Sequence, residues 1–308
     1  MKTAIDVIGD IHGHADRLEV LLSTLGYAHR SGAWRHPDRT AIFVGDFVDR
    51  GPGQLPTLEI VRAMTEAGSA RAVMGNHEFN AITWATPDPL RPGEYLRNRH
   101  GTKGEKNRQQ HQAFLAEVGE DSAEHHRWIE WFMALPLWIE EPGFRVVHAC
   151  WSARHVEALT PHLTADACLT PALVEKASRK GSTAFEAVET LLKGAEVELP
   201  AGQTFTDKDG HVRSSIRTQW WNPSLNTYAS TYIGPPGVEL PALPLPVAEV
   251  IPEPDRPTFI GHYWFDGTLE PASRRVACVD YSVAMRGRLV AYRFDGEPEL
   301  TAANFVAV

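Results

Sequence analysis

The sequence predicts an α/β fold, on two observations. A short apolar strand, a polar glycine-bearing loop and a helix follow one another three times within the first 85 residues. In each unit acids, histidine or asparagine stand where the strand ends, and open α/β sheets bind their ligands at the carboxyl ends of strands.

The first unit is a strand over 3–8 ending at Gly9, then a helix from about Asp16, because Leu18, Leu21, Leu22 and Leu25 repeat at three and four before Gly26 stops it. In the second, the run Ala41-Ile42-Phe43-Val44 opens into Gly45-Asp46-Phe47-Val48-Asp49-Arg50-Gly51. A helix near 55–67 follows, with Leu58, Val61 and Met64 on one face and Gly68 as its stop. The third strand, 70–74, ends at Gly75-Asn76-His77-Glu78 and leads into a helix through Ala81 and Trp84.

From Pro87 to Lys106 periodicity is lost and the chain turns basic (Arg91, Arg97, Arg99, Lys103, Lys106), which reads as an exposed insertion, a solvated loop before a lid. Helices are expected over 108–118 and 124–135, where Trp128, Ile129, Trp131, Phe132 and Leu135 form a core stripe ended by Pro136. The runs 137–139 and 144–147 flank Glu140-Glu141-Pro142-Gly143 as a hairpin, the second ending at His148.

Residues 151–195 read as helical, with a capping box at Thr183 and Glu186. Asp209-Gly210 predicts a hairpin turn. The strand after it would set Val212, Ile216 and Trp220 on one face and Arg213, Ser215, Arg217 and Gln219 on the other, so two arginines point the same way. The proline-rich stretch 234–257 reads as an extended connector. Strand 258–260 then ends at Gly261-His262, with further strands near 276–280 and 288–294.

Composition narrows the class. At 308 residues, 43% hydrophobic and 22% charged, the chain is long enough for a large core and is neither disordered nor fibrous. A net charge of −9, from 39 acids against 30 Lys and Arg, argues against a nucleic-acid partner. No apolar stretch reaches the roughly 18–20 residues that span a bilayer. The first residues place Asp6 inside an apolar run, which reads as a first strand and not a signal peptide, so a cytoplasmic protein is expected. Cys150, Cys168 and Cys278 are widely spaced without a C-x-x-C pair, which argues for reduced thiols.

Five segments share one grammar: Gly9-Asp10-Ile11-His12-Gly13, Gly45 to Gly51, Gly75-Asn76-His77-Glu78, Val147-His148 and Gly261-His262. Each follows an apolar strand and offers carboxylate, imidazole or amide oxygen, a set suited to manganese, iron or zinc. Six ligands exceed what one zinc ion with an open catalytic position takes. Two ions sharing a carboxylate fit better, at about 3.5–4 Å apart in sites of that kind.

In this order, G-D-x-H-G, G-D-x-V-D-R-G and G-N-H-E resemble the phosphoprotein phosphatase branch of the calcineurin-like metallophosphoesterases, which holds Ser/Thr protein phosphatases and symmetrical dinucleoside tetraphosphate hydrolases. The motifs cover residues 9–78, with strand-level matches at 144–150 and 258–294. The resemblance implies a β-sandwich flanked by helices, as one domain over 1–308 with cap-like insertions at about 84–135 and 151–257. It also implies that Asp10, His12 and Asp46 hold one divalent ion and that Asp46, Asn76, His148 and His262 hold a second. Asp46 would bridge them, with manganese expected first and iron or zinc as alternatives. A water between the ions would lose its proton near neutral pH and attack phosphorus in line. His77 would protonate the leaving oxygen, Asp49 would orient His77, and Arg50 would grip the phosphoryl oxygens.

Two departures stand out. Protein phosphatases of the branch carry a second phosphate-gripping arginine just before G-N-H-E, where this chain has Met74, and His148-Ala149-Cys150 lacks a common glycine. Arg213 or Arg217 is the candidate to supply the missing charge. The expected function is hydrolysis of phosphomonoesters, phosphoprotein Ser/Thr phosphate among them, with dinucleoside polyphosphates or related nucleotides as the alternative substrate. Outside enzymes, the readings are a phosphate-binding protein that has lost turnover and a structural scaffold. His14, Glu78, Cys150, Tyr263 and Trp264 read as supporting neighbours of the motifs, and Trp220 and Trp221 as core.

Overall fold

Two sheets packed face to face carry the loops that matter. The computed structural model describes residues 4–206, 212–234 and 237–308. The larger sheet runs, in order, Asp280–Tyr281, Arg288–Phe294, Ile5–Ile8, Thr40–Phe43 and Ala70–Ala72, with Phe305–Ala307 also paired to Arg288–Phe294. Ile5–Ile8, Thr40–Phe43 and Ala70–Ala72 are mutually parallel, so their polar loops emerge at one edge. The second sheet runs Val276–Cys278, Thr258–Ile260, Phe144–Val147 and Trp138–Glu141, its first three strands parallel and its last antiparallel.

Side-chain alternation decides what lies between the sheets. Ile5, Val7, Ile42 and Val73 of one meet Ile139, Phe144, Val146, Phe259 and Ala277 of the other in a single buried cluster. The opposite faces, Ile8, Ala41, Phe43 and Ala72 on one sheet and Val147, Ile260 and Cys278 on the other, pack with helix residues such as Leu21, Leu58, Ile82 and Leu191. This is the β-sandwich flanked by helices.

The helices Ala15–Leu25, Gln54–Glu66 and Asn76–Ala85 follow the first three strands as predicted. The stripe at 124–135 is the helix Ala123–Met133, with Trp128 and Phe132 fully buried. Trp84, Phe114 and Leu115 join the same core, while part of 151–257 has its own small cluster, centred on Val197, Ile216 and Tyr228.

Three local expectations need correction. The helix expected at 108 begins at Gly101 and runs to Val118, and Arg99 in the stretch before it is half-buried, donating to the Trp84 carbonyl at 2.8 Å. Gly101 and Gly104 obscure this helix in the sequence, yet a Cβ at 104 would meet the Arg99 backbone at 2.2 Å, so close packing requires the glycine. The cap of Thr183–Lys193 is Ser182, whose Oγ accepts from Phe185 N at 3.0 Å, one residue before the expected Thr183. Finally, Val212–Arg213 and Ser215–Thr218 lie in different sheets, broken at Ser214, whose carbonyl takes the Leu199 N–H. The alternation expected from 212 to 220 therefore holds only over 215–220, where Ile216 and Trp220 are buried, and Val212 and Arg213 are both exposed. The Asp209-Gly210 turn lies outside the described residues.

Candidate metal centre

The loops after five strands are laced to one another by backbone. Ile11 and His12 N–H donate to the Asp46 carbonyl, Gly51 N–H to the His12 carbonyl, and Gly261 N–H to the His148 carbonyl. His262 N–H donates to Asp10 Oδ2 at 3.0 Å, joining the last loop to the first. Glu78, fully buried, accepts from Asp46, Phe47 and Gly75 N–H at 2.8–2.9 Å, tying the second loop to the third. Burial and the neighbouring Asp46 push Glu78 up to about 7.

Glycine is needed where loops touch. Gly45 has φ +101°, and a Cβ there would lie 2.3 Å from Gly75 N; one on Gly75 would lie 2.2 Å from Asp46 Oδ1. Of the eleven non-glycine residues in the left-handed region among the described residues, His12, Asp46, Asp49, Arg50, His262 and Trp264 belong to these loops. Such strain persists only where the surroundings over-determine it, and here it aims side chains inward.

Asp46 lies at the middle of that cluster. Its Oδ1 accepts from His77 N–H at 2.9 Å, while its Oδ2 lies 3.4 Å from His148 Nε2, 3.7 Å from His12 Nε2 and 3.9 Å from His77 Nε2. His12 and His148 donate their Nδ1–H to the Val48 and Val44 carbonyls, each at 2.8 Å, which turns both Nε2 atoms toward Asp46. Asn76 Oδ1 lies 2.8 Å from His262 Nδ1 and 3.2 Å from His148 Nε2.

Two ligand groups result, His12–Asp46–His77 and Asp46–His148–His262, each with donor atoms within 4.8 Å. Asp10 Oδ1, His12 Nε2 and His262 Nε2 are buried without a hydrogen-bond partner, and all three belong to the predicted ligand set. Burial, with Asp280 and Asp46 as neighbours, drives Asp10 well above the carboxylate range. Burial takes His12 down to about 3, whereas at His148 the pull of Asp46 overcomes burial and pushes it up to about 10. Crowded acids and imidazoles with unpartnered donors are a set that a divalent cation fits, because it answers the acids and displaces the imidazole proton.

The other predicted residues border this cluster. His77 Nδ1 meets Asp49 Oδ2 at 2.5 Å, leaving Nε2 on the Asp46 side. Arg50 is exposed and stacks over the Trp264 ring at 4.1 Å, and Trp264 N–H is held by Asp280 Oδ2 at 2.8 Å. Arg50 and His77 open onto a cleft of about 510 Å³ whose other wall is Gln109, Gln110, Gln112, Ala113 and Ala116. Met74 is buried in the core on the helix side and contributes nothing to that cleft. Arg217 bears on the cluster: after burial, its charge is the next cause that holds His262 well below its ordinary range. Its Nε is buried without a partner, and Glu196 Oε1 lies 4.0 Å from its Nη2. Arg213 is exposed on a separate two-stranded sheet.

Sequence reasoning missed two residues. Asp280 repeats the grammar, an acid two residues after the strand Val276–Cys278, and its position in an apolar run was a usable signal. His111 lies mid-helix and meets Asp49 Oδ1 through Nδ1 at 2.6 Å; no motif flags it.

Comparison with known proteins identifies the family. A family profile described as calcineurin-like phosphoesterase matches residues 3–156, half of the chain. Over 73 residues the chain is 45% identical to the asymmetrical bis(5'-nucleosyl)-tetraphosphatase PrpE of Halalkalibacterium halodurans, covering 23% of this chain and 30% of that protein. Over 74 residues it is 50% identical to the protein of the same name from Geobacillus sp. strain WCH70, covering 24% and 30%. The match thus spans under a third of the length of these relatives. A solved serine/threonine phosphatase from Saccharomyces cerevisiae superposes with a TM-score of 0.51 at 14% identity, over 100% of this chain and 79% of that one, a likeness of fold.

Proposed function

The chain belongs to the calcineurin-like phosphoesterase family, and on that premise we propose that it hydrolyses a phosphate ester with the help of two divalent cations. The observation that carries this reading is Asp46 Oδ2 among three imidazole Nε2 atoms, with Asp10, His12 and His262 each presenting a buried unpartnered donor. Asp10, His12 and Asp46 would hold one cation, and Asp46, Asn76, His148 and His262 the other. Bound there, the pair would neutralise phosphoryl charge and lower the pKa of a water toward neutrality.

The protein's own groups do the rest. Arg50, steadied on Trp264, presents its N–H fork to the phosphoryl oxygens at the cleft mouth. His77 keeps one proton on the nitrogen facing Asp49 and offers Nε2 to the leaving oxygen. Burial opposes its charged form, but Asp46 and Asp49 together raise it from the ordinary histidine value, which suits a proton donor. Arg217, and not Arg213, takes the place of the charge missing at Met74. A single domain accommodates this, with the stretch 84–135 walling the cleft through Gln109, Gln110, Gln112, Ala113 and Ala116 and 151–257 as a second addition to the same domain.

A phosphomonoester is the first substrate reading. A dinucleoside polyphosphate is the second, favoured by the names of the relatives over the motif segment and by the amide-rich cleft wall. The manganese-loaded protein, given a phosphopeptide and a dinucleoside tetraphosphate side by side, separates the two by its products. Failure to release nitrophenol from p-nitrophenyl phosphate with manganese, iron, zinc or magnesium would overturn the enzyme and leave a phosphate-binding protein.

A further inference from the structure

We propose that His111 is a positioning residue, which fixes Asp49 so that Asp49 in turn fixes His77. This rests on the reading of His77 as proton donor. The two oxygens of Asp49 are divided between two imidazoles, Oδ2 to His77 Nδ1 at 2.5 Å and Oδ1 to His111 Nδ1 at 2.6 Å. The Asp49 N–H is bound to Gln54 Oε1 at 2.6 Å, so backbone and carboxylate are both pinned. A carboxylate held through one oxygen can still turn about its Cβ–Cγ bond, a broad torsion. A second donor on the other oxygen removes that freedom, and with it the swing of the His77 ring.

His111 is itself immobilised. It is 3% exposed, with its ring 4.9 Å from Phe114 and 6.4 Å from Trp84 by centroid. It belongs to the helix Gly101–Val118, whose neighbouring residues Gln109, Gln110 and Gln112 face the cleft opposite Arg50 and His77. His111 therefore stands behind the cleft wall, apart from the cluster around Asp46, and acts on the reaction through Asp49. The helix that shapes the substrate wall thereby also sets the aim of the donor.

A donor matters most for a poor leaving group, so two substrates distinguish positioning from mere folding. With manganese, turnover of phenyl phosphate and of 2,4-dinitrophenyl phosphate is compared for wild type, His77→Ala, His111→Ala, His111→Asn and the double alanine variant. For His111→Ala the expected result is a kcat about tenfold lower on phenyl phosphate and less than about twofold lower on the dinitrophenyl ester, KM being little changed. His111→Asn, whose amide nitrogen falls near the original Nδ1, should restore most of that loss, and the double variant should be no slower than His77→Ala. Equal losses on both esters, no rescue by Asn, or losses that multiply in the double variant would overturn the proposal while leaving His77 as donor. If His77→Ala itself loses equally on both esters, the donor reading fails and the proposal falls with it. His111→Leu, which keeps apolar packing against Phe114, carries the same comparison should His111→Ala not fold.

Discussion

At the scale of single residues, the centre is built by giving each imidazole nitrogen a separate task. His12 and His148 spend Nδ1 on backbone carbonyls, which leaves Nε2 turned toward Asp46, whereas His77 spends Nδ1 on Asp49. Arg217 has no such partner at Nε, and its charge acts on His262 alongside those of His148 and His77. Replacing Arg217 with alanine should raise KM for a phosphate ester about tenfold with kcat within about threefold, as loss of uniform substrate binding does. Arg213→Ala should leave both constants unchanged in the same assay. Most of this centre was legible in the sequence because Asp10, His12, Asp46, Asn76 and His77 lie in short glycine-bounded loops whose turn chemistry is local. His111 was not legible, since its role exists only once a helix more than 60 residues beyond Asp49 packs against it. The choice between Arg213 and Arg217 likewise turned on a strand break at Ser214 that alternation alone does not reveal.

At the scale of elements, the helix Ala123–Met133 depends on a neutral histidine. Ser122 caps it by accepting from His125 N–H, and His125 Nδ1 accepts the Asp121 N–H at 3.0 Å, a bond that protonation would break. Burial, aided by His111, lowers His125 from 6.5 to about 4. The folded protein therefore binds fewer protons than the unfolded chain between those values, so stability is full above pH 6.5 and falls as pH drops toward 4. His155, also brought to about 4 by burial, adds to the same slope. Thermal melts from pH 7 to 4.5 should show Tm decline, and His125→Asn, whose side-chain oxygen accepts without titrating, should flatten the decline by several degrees. An unchanged slope in that variant would remove His125 from the account. Helix periods were read correctly wherever a regular apolar stripe existed, whereas the strand expected near 276–280 is split at Val279 between the two sheets and the one expected over 70–74 ends at Ala72. The helix Gly101–Val118 lost its first turns in that reading because Gly104 answers to the close approach of Arg99 rather than to local propensity.

At the scale of the whole molecule, the centre straddles the sandwich. Asp10, His12, Asp46 and Asn76 come from loops of the larger sheet, and His148 and His262 from the ends of strands in the second. Cations bound there would couple the two sheets, and a ligand that binds only the folded state adds to stability by mass action. Manganese at about 100 times its dissociation constant should raise Tm by several degrees over chelator-treated protein, from roughly 2.7 kcal/mol of linkage. Asp46→Asn, which weakens the shared ligand of both groups, should abolish most of that shift and lower the metal content measured on the purified protein. A full shift in that variant would show that binding lies elsewhere.

The pairing of Ile5–Ile8 with Arg288–Phe294 bears on when such a centre can come into being. Ile5 lies opposite Phe294, so an early strand of the larger sheet has one flank satisfied by a strand about 290 residues later in the chain. On a ribosome adding roughly 5–20 residues per second, that edge waits about 15–60 s for its partner. His262 and the strand Val276–Cys278 lie far downstream of the first three motif loops, which until then hold only part of the ligand set. The group Asp46–His148–His262 is thereby complete only once residue 262 has emerged, and until Arg288–Phe294 follows, Ile5–Ile8 presents an unpaired edge of the kind on which nascent chains misassociate or recruit a chaperone.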